Sequence, residues 1–123
     1  MNLVLRYAKP VFWAALLFAY VAAIMPAKEA PQIADNDKVQ HMIAFFTLAV
    51  LGRLAYVSKP VWLTWVLLAA FGALIEFTQM IPFIHRDAEL NDWIADVVAL
   101  SVGLGVVALV LRFWGPGRER PGT

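Results

Sequence analysis

The sequence predicts an all-α integral membrane protein built as a four-helix bundle. Two observations carry this. The chain is apolar, with 62% of its residues hydrophobic and only 15% charged. Its charges are also sorted: Arg6, Lys9, Arg53, Lys59, Arg112, Arg118 and Arg120 fall in three short basic patches, and eight of the nine acids fall elsewhere. A chain threaded back and forth through a bilayer alternates in this way, because Lys and Arg are held on the cytoplasmic side.

The spans follow from length, since a bilayer core needs roughly 20 apolar residues in a helix. The first span covers residues 8–25; its apolar run Val11–Met25 is short unless Leu3–Tyr7 continues it, and Pro26 and Pro31 occupy the connection that follows. The second covers 39–57 and is closed by Ser58-Lys59-Pro60; a proline is well tolerated where the next helix starts. The third covers 61–81, where Pro82 stops it. The fourth covers 93–114 and ends in Gly115-Pro116-Gly117. Residues 1–123 thus read as one transmembrane domain. A water-soluble bundle would show a polar stripe on each helix, and Leu63–Leu74 and Val97–Leu111 lack one. Gly52, Gly72, Gly103 and Gly105 lie inside spans, where small residues let helices approach closely. Gly103-Leu104-Gly105 is not a GxxxG pattern and predicts no dimer.

With the N-terminus inside, the cytoplasmic segments hold seven Lys/Arg, against three outside: Lys28, Lys38 and Arg86. That bias puts both termini in the cytoplasm. A competing reading takes Arg6, Lys9, the apolar run and Val21-Ala22-Ala23 as a cleaved signal peptide, which would leave three spans and the same outer face. The absence of cysteine excludes disulfides, thiolate catalysis and thiolate metal sites. A net charge of +1 suggests no nucleic-acid partner, and topology accounts for the basic residues.

The predicted outer face gathers the polar chemistry. Asp37-Lys38-x-x-His41 opens the second span, and His41 lies one turn after Asp37 on the same helical face. Glu76-x-x-Gln79 closes the third. Arg86-x-x-Glu89-x-x-Asp92-x-x-x-Asp96 runs through the last outer loop into the fourth. All three reach a similar depth. Glu76 and Asp96 stand out, because each lies about one apolar turn inside its loop, where an ionisable group costs several kcal/mol unless paired or wet. Arg86 is a natural carboxylate partner through its planar fork. His41 could pair with Glu76 or Asp92, and the sequence does not fix which.

In order and spacing these pieces resemble the VanZ-like family: DKxxH opening an apolar helix, ExxQ closing the next, then RxAExxD and a further polar residue four positions on. The resemblance covers Asp37 to Gly103 and lands on Asp37, Lys38, His41, Glu76, Gln79, Arg86, Glu89, Asp92 and Asp96. Asp96 departs from it, standing where Asn is common, and Ala99 stands where Gly is often found. The resemblance implies a small protein of the bacterial cytoplasmic (inner) membrane. It leaves the reaction open, although one family member is linked to lower susceptibility to a lipid-bearing glycopeptide antibiotic.

Each piece also has a structural explanation. Asp37 can cap the second span, Lys38 can snorkel to headgroups, and His41 alone is more often a packing histidine. Glu89 and Asp92 suit the first turn of the fourth span, where the helix dipole favours acids. The whole cluster can act as a polar lock between helices. The five tryptophans, Trp13, Trp62, Trp65, Trp93 and Trp114, read mostly as interfacial anchors.

Three functions remain as expectations. The favoured one is a binding site for an envelope lipid or amphiphile, with Arg86, Lys38 and His41 facing a phosphate. The second is a membrane-embedded phosphoester hydrolase. There Glu76, Asp92 and Asp96 would hold a hard divalent cation, with His41 as general acid or base, Glu76 the other catalytic candidate, and water as nucleophile. The third is an assembly subunit whose cluster only locks the helices. A bundle this small also leaves room for a homo-oligomer.

Overall fold

The computed structural model of the protein describes residues 2–25, 37–81 and 90–114. Four helices account for nearly all of them: α1 (Asn2–Ile24), α2 (Asp37–Ala55), α3 (Val61–Gln79) and α4 (Leu90–Trp114). No strand occurs among the described residues.

The helix ends differ from the predicted spans for local reasons. Leu3–Tyr7 does continue α1, which passes through Pro10. Proline lacks an N–H, so the carbonyl four residues back, on Arg6, loses its intrahelical donor there. Helix α2 stops at Ala55. Its last turn is closed by Arg53, whose guanidinium donates to the Lys59 carbonyl at 2.6 Å and the Tyr56 carbonyl at 3.4 Å. Helix α3 starts directly after Pro60 and ends at Gln79, with the Met80 N–H donating back to the Glu76 and Phe77 carbonyls. Helix α4 begins at Leu90, earlier than the apolar run suggests, and takes Asp92 into its first turn.

The helices alternate in direction, and the most extensive packing joins α2 to α4. These two run parallel: His41 lies against Asp96, and further along Phe46 and Ala49 lie against Gly103. Small residues make that approach possible. A Cβ on Gly103 would sit 2.9 Å from the Ala49 Cβ and 2.9 Å from the Phe46 carbonyl oxygen. Membrane helices gain little from excluding water from one another, so close van der Waals packing and interhelical hydrogen bonds hold them together. Gly105, by contrast, faces open space.

Helix α1 packs on α2, and α3 packs mainly on α4. Phe12 meets Gly52 at one level, and Phe45 meets Gly72 and Phe71 at another. The core combines aliphatic side chains with Phe12 and Phe45, and Leu48, Leu68, Leu100 and Ala49 are almost fully enclosed. Side-chain hydrogen bonds stitch the flanking helices: Trp13 Nε1 donates to the Tyr56 hydroxyl (2.8 Å), Trp65 Nε1 to Ser101 Oγ (3.0 Å) and Trp93 Nε1 to the Ala69 carbonyl (3.0 Å). Trp93 is therefore a half-buried packing residue beside Gly72, not an interfacial anchor.

Candidate functional site

The parallel α2–α4 pair has a direct consequence for the polar residues. It brings two helix N-terminal ends to the same end of the bundle, and α1 and α3 both finish there. His41 comes from the start of α2, Asp92 and Asp96 from the start of α4, and Glu76 and Gln79 from the last turn of α3. A helix N-terminus carries partial positive charge and favours a nearby carboxylate, which suits Asp92 in the first turn of α4.

These side chains point inward. Asp96 is 0% exposed, Gln79 2%, Asp92 8% and Glu76 9%, so the cluster belongs to the bundle interior and is not a solvated rim. One donor atom from each of His41, Glu76 and Asp92 lies within 4.8 Å of the others. Asp96 Oδ1 stands 3.9 Å from His41 Nδ1. His41 thus faces all three carboxylates.

Gln79 plays a separate part. Its Nε2 donates to the Ala23 carbonyl at 2.8 Å. Ala23 is in the last turn of α1, where carbonyls have no intrahelical donor, so Gln79 caps α1 from across the bundle. The Tyr20 hydroxyl and Thr78 Oγ1, 2.9 Å apart, tie the same two helices one turn deeper.

A cleft of about 220 Å³ lies beside the cluster, between α1 and α2. Its α1 wall is made by Ala15, Ala19, Ala22 and Ala23, and Gln40 and His41 lie on the α2 wall. Exposed Phe18, Ile43 and Thr47 also line it, so it opens on the lateral surface of the bundle. Ala15, Ala19 and Ala22, spaced by four and three residues with Ala23 beside the last, mark one small-residue face of α1, and that was the available signal for the cleft. Nothing in the residue spacing indicated Gln79 as a cap, because its acceptor lies 56 positions away.

Of the residues the sequence singles out, the structure brings together His41, Glu76, Asp92 and Asp96, with Gln79 alongside on α3. Asp37 and Lys38 open α2, but their side chains lie outside the described residues, as do Arg86 and Glu89 altogether.

Helices α1, α3 and α4 are each long and apolar enough to cross a membrane, whereas the apolar run of α2, Val39–Ala55, is shorter. The outward faces carry large exposed apolar side chains, among them Leu17, Phe18, Trp62, Leu67, Phe77 and Leu109. The polar residues of α2 need not meet lipid, since α2 packs against all three other helices. The chain is a helical membrane protein with a buried polar cluster at one end. Comparisons with protein-family models, curated proteins and solved structures find no match to it.

Proposed function

We propose that this is a VanZ-like protein of the bacterial cytoplasmic membrane that binds an amphiphilic envelope lipid. In this reading all four helices span the bilayer, both termini are cytoplasmic and the polar cluster faces outward. The apolar chain of the lipid lies in the α1–α2 cleft and its head group reaches the cluster. One observation carries the reading: His41 lines the cleft and also belongs to the close group of donor atoms with Glu76 and Asp92. An amphiphile seated in the cleft therefore meets the buried polar groups through a single side chain. Arg86, in the segment joining α3 to α4, supplies positive charge for an anionic head group.

A second reading, a phosphoester hydrolase, is favoured by the proximity of the His41, Glu76 and Asp92 donors. It requires water as the nucleophile: the chain has no cysteine, Ser58 lies in the turn after α2, and Ser101 is engaged with Trp65 and the Val97 carbonyl.

Mass spectrometry of lipids retained by the purified protein tests the binding reading. Wild type is compared with Arg86→Ala and with Ala44→Phe, which fills the cleft, at equal folded fraction. A particular amphiphile enriched in wild type and lost from both variants is expected. A wild-type lipid profile that matches the bulk membrane, unchanged in the variants, refutes it.

A further inference from the structure

We infer that His41, Glu76 and Asp92 form a binding site for one first-row divalent cation of the zinc or manganese kind, with Asp96 positioning the imidazole. This goes beyond the lipid reading and does not depend on it.

The three donor atoms lie within 4.8 Å of one another. In a tetrahedral shell with bonds of about 2.0–2.2 Å, ligand atoms stand roughly 3.3–3.6 Å apart, so closing the site asks each donor to move inward by about 1 Å or less. The donors stand on three different helices, α2, α3 and α4, and the two carboxylates are more than nine-tenths buried. Helical scaffolds hold such donors more firmly than loops do. This is not a surface patch of acids that a solvated ion would satisfy.

The surroundings of the histidine also suit a metal ligand. A metal-binding imidazole commonly gives its other ring N–H to a carboxylate, which fixes the tautomer and the ring orientation. Asp96 can take that role: its Oδ1 stands 3.9 Å from His41 Nδ1, so a shift of about 1 Å brings it to hydrogen-bond length, and its side chain is wholly enclosed. With that hydrogen bond made, Nε2 would be the nitrogen left for the metal. Asp96 is thereby a positioning residue, in contrast to its place among the all-carboxylate ligands expected from the sequence.

The donor set selects the class of ion. Magnesium and calcium favour all-oxygen shells, whereas an imidazole beside carboxylates suits zinc and its first-row neighbours. Three protein ligands also leave a coordination position for water or for an anionic group.

The test uses the full-length chain, purified in detergent and stripped with a chelator. Zn²⁺ is titrated against a chromophoric competitor, and X-ray absorption is recorded on the zinc-loaded wild type. One saturable ion per chain is expected, with one imidazole nitrogen and carboxylate oxygens in its shell. Glu76→Gln and Asp92→Asn should each weaken Zn²⁺ at least about 10-fold, and Asp96→Asn about 10–100-fold. Lys59→Ala, near the opposite end of the bundle, should leave binding unchanged. Absence of saturable Zn²⁺ and Mn²⁺ binding to wild type overturns the inference, as does a shell without imidazole; neither needs a variant to fold. Equal affinity in Glu76→Gln and Asp92→Asn overturns it too. A protein that binds metal but retains no particular lipid would sink the lipid reading alone, and the converse result would sink the metal site alone.

Discussion

Replacing Gly103 with alanine puts a single methyl group into the contact that organises the bundle. The added Cβ would lie 2.9 Å from a backbone carbonyl oxygen of α2, that of Phe46, and 2.9 Å from the Ala49 Cβ. Ordinary contacts to carbon begin several tenths of an ångström further out. The oxygen belongs to a helix and cannot rotate away as the end of a flexible side chain would, so α2 and α4 must separate or tilt. Overpacking of this kind costs about 1–3 kcal/mol, set against a gain of up to about 1 kcal/mol in helix propensity for glycine to alanine. Gly105→Ala supplies the control, because it makes the same chemical change in the same helix with nothing within 4 Å. Reversible unfolding in mixed micelles should therefore find Gly103→Ala less stable than Gly105→Ala by about 1–3 kcal/mol. Equal stabilities would show that α2 and α4 do not pack at Gly103, and nothing would then turn His41 toward Asp92 and Asp96.

Two further predictions follow from the ends of the bundle. Gln79→Ala removes the donor that caps the Ala23 carbonyl; leaving that group without it should destabilise the protein by about 1–3 kcal/mol in the same unfolding assay, and a value near zero would mean that α1 ends independently of α3. The chain has no cysteine, so Ser58→Cys introduces a single thiol in the exposed turn between α2 and α3. With the proposed orientation, a membrane-impermeant maleimide should label it only after cells are permeabilised, and labelling of intact cells would invert the topology.

Much of the architecture is legible along the chain because its causes are local. Apolar runs long enough for a bilayer, broken by Ser58-Lys59-Pro60 and Pro82, define helices close to where they stand. The polar groups His41, Glu76, Asp92 and Asp96 can be placed at one depth from their distance to those breakers. The ends shift by a few residues where hydrogen bonding outlasts hydrophobicity, as at Leu90, or where a turn takes over, as at Tyr56 and Met80. Trp93 misleads for a different reason: an indole near a helix end suits the interface, yet here Gly72 leaves room for it inside and the Ala69 carbonyl accepts its N–H.

What the amino-acid order determines alone is thus the class of protein, the four helices among the described residues and the shared level of His41, Glu76, Asp92 and Asp96, since hydropathy, breakers and rise per residue are properties of consecutive positions. The rotation of each helix about its axis is decided only by tertiary contact. The gap at Gly103 admits Phe46 and Ala49, and that parallel pairing turns His41 toward Asp96 and brings its donors near Glu76 and Asp92. The same packing opens the α1–α2 cleft beside His41 and leaves Gln79 to cap a helix 56 residues away. Facing positions depend on how surfaces far apart in sequence fit together, and no local pattern encodes that fit.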